Sequence, residues 1–302
     1  MDTYQAGGGH AATETTNEKT VVLSVQGGLG NQLFEWAFAK ALQTQGHEVL
    51  FDTIRCRGSR PLMIGPLLWP GSRLSPALGL AAVAAYKSGI LNGRFPMRVV
   101  QEGGFSYDPS LVSRLGSRSY LVGYFQSPRY FDVIADSVRT ELSAFLDGML
   151  TREGKALAKD LASDQHSVAV HVRRGDYVTN PVASAHHGAL QGDYYRSALT
   201  MMEELGHVRH VWFSDDPGWV TENLARPGEV VCGPEFAYAA GGEIALMASC
   251  SSRVIANSSF SWWGGWLGRR STPQNPVIAP ARWFVSDQNS TSDLLPHSWI
   301  KL

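Results

Sequence analysis

Short apolar runs recur along this chain, and each gives way to a loop of glycine, serine or charged residues before a helix-period pattern begins. Strands that alternate with helices in this way are the pattern of parallel α/β sheets, which restricts the fold more than any other feature here. Val21–Gln26 reads as a strand, Gly27-Gly28-Leu29-Gly30-Asn31 as the turn after it, and Leu33, Phe34, Trp36, Ala37, Phe38, Ala41 and Leu42 as an apolar helix. Gly46 closes that helix and Val49-Leu50-Phe51 opens the next strand, completing a β-α-β unit. Tyr120–Tyr124 reads as a further strand, Gln126-Ser127-Pro128 as a turn, and Ile134–Leu146 with Thr151–Ala162 as helices.

The second half repeats the rhythm more cleanly. Strands are expected at Ser167–Val172, His210–Ser214, Val230–Cys232 and Arg253–Ala256, and helices at Tyr194–Leu205, Glu243–Ser251 and Ser261–Arg269. Residues 60–120 are rich in Pro, Gly and Arg and show no legible element boundaries. The expectation is an α/β protein of two Rossmann-like units facing a cleft: a disordered tail over 1–20, one unit over 21–150 and a second over 151–302.

Composition excludes several classes. With 302 residues, 44% of them apolar, the chain can bury a full core. A net charge of −1 without a basic stripe gives no reason to expect a nucleic-acid partner. Cys56, Cys232 and Cys250 form no CxxC pair, which argues against a disulfide framework or structural zinc and fits a reducing compartment. The polar N-terminus lacks the layout of a secretory signal, and no run reaches the ~18–20 apolar residues of a membrane span, Ala77–Tyr86 coming nearest. A cytoplasmic setting follows as the expectation, with peripheral contact to the inner membrane left open.

The chemistry concentrates at strand ends. The run Val168-Ala169-Val170 leads into His171-Val172-Arg173-Arg174-Gly175-Asp176-Tyr177, so a buried strand delivers two guanidinium groups and a carboxylate to its C-terminal end. Ligands bind at that end of open α/β sheets, and a guanidinium fork matches phosphate oxygens bidentately. A plain Arg–Asp salt bridge is the alternative. Asn257-Ser258-Ser259 follows another strand, where hydroxyls and the N–H groups of a starting helix make a second phosphate cradle or a simple helix cap. Gly27-Gly28-Leu29-Gly30 also stands at a helix start, yet Leu33 breaks the dinucleotide-binding glycine spacing. Asp215-Asp216 could suggest a metal site, but Pro217 marks Asp216 as a helix cap. Phe260, Trp262, Trp263 and Trp266 recur at helical spacing and read mostly as core.

Taken in order, GGLGNQLF, HVRRGDY, FSDD and NSSFSWWGGWL resemble the α-1,2-fucosyltransferases of glycosyltransferase family 11, bacterial type, over about Val21 to Trp283. The resemblance implies a GT-B fold, GDP-fucose as donor, the 2-hydroxyl of a terminal β-galactoside as acceptor, inversion at the fucose anomeric carbon, and no essential metal or other cofactor. It places His171 against the guanosine and Arg173 on the β-phosphate. The Gly28-Leu29-Gly30 loop, Asn257, Ser258 and Ser259 fall on the donor as well. Asn31 and Gln32 would reach the donor sugar or the acceptor. Glu243, sixteen residues before Ser259, would read guanine where relatives use Asp, with Asp215 the second candidate.

The expected catalytic set is Arg173, Asp176 and Asn31. The base itself is less defined: Asp176, Glu35, His186, His187 and Asp193 all stand in suitable places, and a carboxylate locked to arginine is a weak base. A fucosyltransferase of another linkage (α-1,6 or protein O-linked) and a non-catalytic GDP-sugar-binding module are the competing readings. The acceptor's identity is not legible.

Overall fold

The computed structural model describes residues 19–58, 60–87, 97–186, 188–286 and 291–302. Residues 1–18 of the expected tail lie outside these, and Thr20 belongs to the first strand rather than to the tail.

The first unit is built on β1 (Thr20–Ser24), α1 (Leu29–Thr44), β2 (Glu48–Asp52), α2 (Pro76–Lys87), β3 (Arg98–Gln101) and β4 (Arg118–Val122). Its strands form a parallel sheet in the order β2-β1-β4-β3. Helices α3 (Ala135–Asp147) and α4 (Arg152–Ser163) lead to the second unit. There the chain forms β5 (Ser167–Val172), α5 (Gly175–Thr179), α6 (Pro181–His186), α7 (Gly192–Glu204), β6 (Arg209–Ser214), α8 (Pro217–Asn223) and β7 (Val230–Val231). Then come α9 (Ala240–Ser249), β8 (Ser252–Val254), α10 (Ser259–Leu267), β9 (Val277–Ala279) and β10 (Ile300–Lys301). These six strands are parallel too, in the order β10-β9-β8-β5-β6-β7. The α/β class and the two facing sheets of the GT-B layout are therefore present.

The burial of β5 explains why the pattern was readable. All six of its residues are buried, as a central parallel strand covered on both faces requires. In the second sheet the strand order reverses once, between β5 and β8, and in the first β1 and β4 are the two central strands. Open sheets bind ligands outside the carboxyl ends of the strands at such a switch point. The switch point of the second sheet and the chain just beyond β1 and β4 of the first open onto one cleft of about 870 Å³.

Helix α1 joins the two units. It is buried almost all round, which a helix does only when both sides meet protein. The Phe34 ring lies 4.5 Å from that of Trp262 and 4.8 Å from that of Trp263. Trp262 and Trp263 are fully buried, and the Trp263 indole donates to the Gly30 carbonyl at 2.9 Å. One apolar core consequently runs from Val21 to Trp299 through both sheets. Helices α3 and α4 pack on α9 of the second unit.

Candidate functional site

Strand β5 ends on His171-Val172, and Arg173 lies just beyond it facing the cleft. The Arg173 guanidinium pairs with Asp215 at 2.9 Å, while the other Asp215 oxygen accepts the Arg174 backbone N–H, also at 2.9 Å. A β-carbon at Gly175 would come within 2.3 Å of Asp215, so the glycine of the motif makes room for that carboxylate. Arg174 turns away to Asp216 at 3.3 Å and stacks on Trp219 at 3.9 Å. Asp216 also caps α8 by accepting from the Trp219 N–H at 3.2 Å. Both carboxylates of the Asp-Asp pair are thus engaged by arginines, and the cap that Pro217 announced is present.

His171 is 4% exposed, and its Nδ1 has no hydrogen-bond partner. Burial, reinforced by the neighbouring Arg173 charge, pulls its pKa down to about 3, so the ring is neutral. Phe260 packs against the apolar core, as its spacing suggested, and also lies 5.5 Å from the His171 ring and lines the cleft. Glu243 stands in the first turn of α9, facing the same space. Burial, followed by the charge of Asp215, pushes its carboxyl up to about 7.

The serine string starts α10. The Ser258 hydroxyl caps the helix by accepting from the Phe260 N–H at 3.3 Å. Ser259 donates to Asn31 Oδ1 at 2.7 Å, and Gln126 donates to the same oxygen at 2.8 Å, so Asn31 fastens the two units together at the cleft floor. Asn257 is 1% exposed, and its amide donates to the carbonyls of Gly188 at 3.1 Å and Trp283 at 3.2 Å. That amide is committed to loops of its own unit.

The glycine loop, besides facing the cleft, has a packing role. Gly27 adopts φ +79°, a left-handed conformation that glycine tolerates. Gly28 caps α1 without a side-chain bond. A β-carbon at Gly30 would fall 2.4 Å from the Ser259 carbonyl carbon. Gly30 therefore lets the first turns of α1 and α10 touch, backbone to backbone. Gly28, Leu29, Gly30 and Asn31 still line the cleft. Gln32 does not: fully buried, it donates to the carbonyls of Gly27 and Pro61 and accepts from the Met63 N–H.

Of the candidate bases, Glu35 is fully buried under the Gln26 N–H, which it accepts at 3.0 Å, and Asp193 is exposed and paired with Arg196 at 2.6 Å. Neither lines the cleft. His187 and the side chains of Asp176 and His186 lie outside the described residues; Asp176 is carried by α5.

Sequence reasoning missed the first unit's wall. Arg55, Arg60 and Tyr124 line it. Glu102 accepts the N–H groups of Tyr124 and Phe125, each at 2.9 Å, across a turn that holds Phe125 at φ +51°. That turn aims Tyr124 and Gln126 at the cleft. Gln126-Ser127-Pro128 did read as a turn, but nothing local pointed to Glu102 as the group that holds it.

Against known proteins, residues 111–302 match the model of glycosyl transferase family 11. The chain belongs to that family. It is 34% identical over 186 residues to the O-antigen biosynthesis glycosyltransferase WbnK of Escherichia coli, a stretch covering 60% of each chain. An alpha-1,2-colitosyltransferase of Escherichia coli is 27% identical over 301 residues, 93% of this chain and 98% of that one. A galactoside 2-alpha-L-fucosyltransferase of Caenorhabditis elegans is 27% identical over 204 residues, 64% of this chain and 56% of that one. No helix among the described residues is long and apolar enough to cross a membrane.

Proposed function

We propose that this family 11 glycosyltransferase moves L-fucose from GDP-fucose to the 2-hydroxyl of a terminal β-galactoside, with inversion and without a metal. The observation that carries this reading is the convergence of Arg173, His171, Glu243 and the α10 N-terminus on one cleft. Glu243 reads guanine by accepting from its two N–H groups, and His171 packs against the nucleoside. Arg173 and the α10 N–H groups meet the diphosphate, whose charge grows as the sugar leaves. The acceptor oxygen attacks the anomeric carbon from the opposite face. The carbon–oxygen bond to the β-phosphate breaks, its electrons stay with GDP, and the acceptor proton passes to Asp176 on α5. Asn31 orients the sugar from the floor of the cleft.

Metal independence is supported by the pairing of Asp215 with Arg173 and of Asp216 with Arg174, which already gives both carboxylates a cationic partner. The likeness to a colitosyltransferase along nearly its whole length favours colitose as a second donor sugar. Incubation with GDP-fucose or GDP-colitose and a panel of β-galactosides, with NMR of the product, tests the reading. The expected product is an α-1,2-linked disaccharide end. Another linkage, or donor consumption without transfer, contradicts it.

A further inference from the structure

Arg173 shares its charge with Asp215, and the second unit adds Glu243 to the same wall. That wall alone cannot neutralise a diphosphate. Among the described lining residues, the carboxylates Asp215 and Glu243 both belong to the second unit, whereas the first unit contributes Arg55 and Arg60 and no carboxylate. Arg55 donates to Gln26 at 2.8 Å and lies 5.2 Å from the Tyr86 ring, so the choice between the two arginines rests on placement. Arg60 Nη1 sits 3.1 Å from the place a Gly28 β-carbon would occupy, over the start of α1. The segment behind it is pinned, because Gln32 binds the Pro61 carbonyl and the Met63 N–H, each at 2.8 Å.

The starts of α1 and α10 meet at Gly30 and Ser259. Two helix N-termini, each attractive to anions, therefore converge beneath Arg60. The unpartnered Nδ1 of His171, in a side chain almost fully buried, lines the same cleft and points independently to a polar ligand there.

We infer that Arg60 is the second cation of a diphosphate site, reaching from the first unit to complete what Arg173 begins in the second. A diphosphate bound in this way bridges the two units, with its leaving oxygen flanked by guanidinium groups from both sides. Arg60 then stabilises the departing GDP as well as holding the donor. The inference rests on the reading of the cleft as a GDP-sugar site.

Calorimetry of the full chain with GDP, guanosine and inorganic pyrophosphate, on wild type, Arg60→Gln and Arg60→Lys, is the test, with ADP on wild type as the measure of base preference. Arg60→Gln should weaken GDP and pyrophosphate about tenfold or more and leave guanosine within about twofold, since only charge-assisted phosphate bonds are lost. Lysine should restore part of the loss, keeping the charge without the fork. Unchanged GDP and pyrophosphate affinities, or an equal loss for all three ligands, would overturn the assignment. Failure of the nucleotide reading looks different: wild type would bind pyrophosphate but show no preference for GDP over ADP, while the Arg60 effect on pyrophosphate persisted.

Discussion

Asp215 reaches three groups at once: it pairs with the Arg173 guanidinium, accepts the Arg174 N–H, and raises the pKa of Glu243 through its charge. Arg173 is thereby oriented before any ligand arrives. Lysine in its place would keep the charge and lose the planar fork, so Arg173→Lys should lower kcat by roughly 10²–10³, about 3–4 kcal/mol, in a steady-state transfer assay. Near-normal turnover would take Arg173 off the phosphate. On the proposed reading of guanine by Glu243, that residue supplies a pH dependence. With its pKa raised to about 7, it is protonated in the free protein below that value and ionised above it. Guanine offers two N–H donors and needs an ionised acceptor. GDP should therefore bind about tenfold more weakly at about pH 6 than at about pH 8, beyond any change shown by Glu243→Gln. Identical calorimetric pH profiles for the two proteins would remove Glu243 from the base.

At the scale of elements, α1 is the part whose role was least legible. The GGLG string suggested a close approach of backbone to a phosphate or sugar, and the structure shows a close approach of another kind. Its object is the backbone of α10, more than two hundred residues away, and no local pattern names a partner at that distance. Gly30→Ala should destabilise the fold by about 1–3 kcal/mol and lower Tm, because the Ser259 backbone cannot step aside. Gly104→Ala, where a β-carbon meets nothing within 4 Å, is the control. Equal melting temperatures would mean that the two helices can separate without cost. Where an element is buried on its own account, the sequence reading did well: β5 was placed at both ends, and the Asp216-Pro217 cap of α8 followed from two residues. By contrast, β3, β9 and β10 are short, and α2 lies in a stretch whose prolines and glycines mask periodicity. These elements are held by neighbours distant in sequence, so propensity alone did not reveal them. The same holds for Arg55 and Arg60, which sit on irregular chain between β2 and α2 and reach the cleft only through the fold.

At the scale of the whole molecule, two parallel sheets turn the carboxyl ends of their central strands toward one cleft, and a continuous core fixes that orientation. On the proposed reading, function depends on charge placed from both sides of one cleft. Each motif was visible as a strand end or helix start; that they share a floor through Asn31, Gln126 and Ser259 was not. The central claim is that arginines and helix N-termini carry the leaving diphosphate's charge in place of a metal ion. Its most direct test is the initial transfer rate from GDP-fucose to a β-galactoside in excess EDTA, against the rates in Mg²⁺ and Mn²⁺. The expected rate in EDTA lies within about twofold of the others, since fixed donors already meet the developing charge. Complete loss in EDTA, restored stoichiometrically by Mn²⁺ and abolished by Asp215→Ala, would contradict the account and make Asp215-Asp216 a metal site.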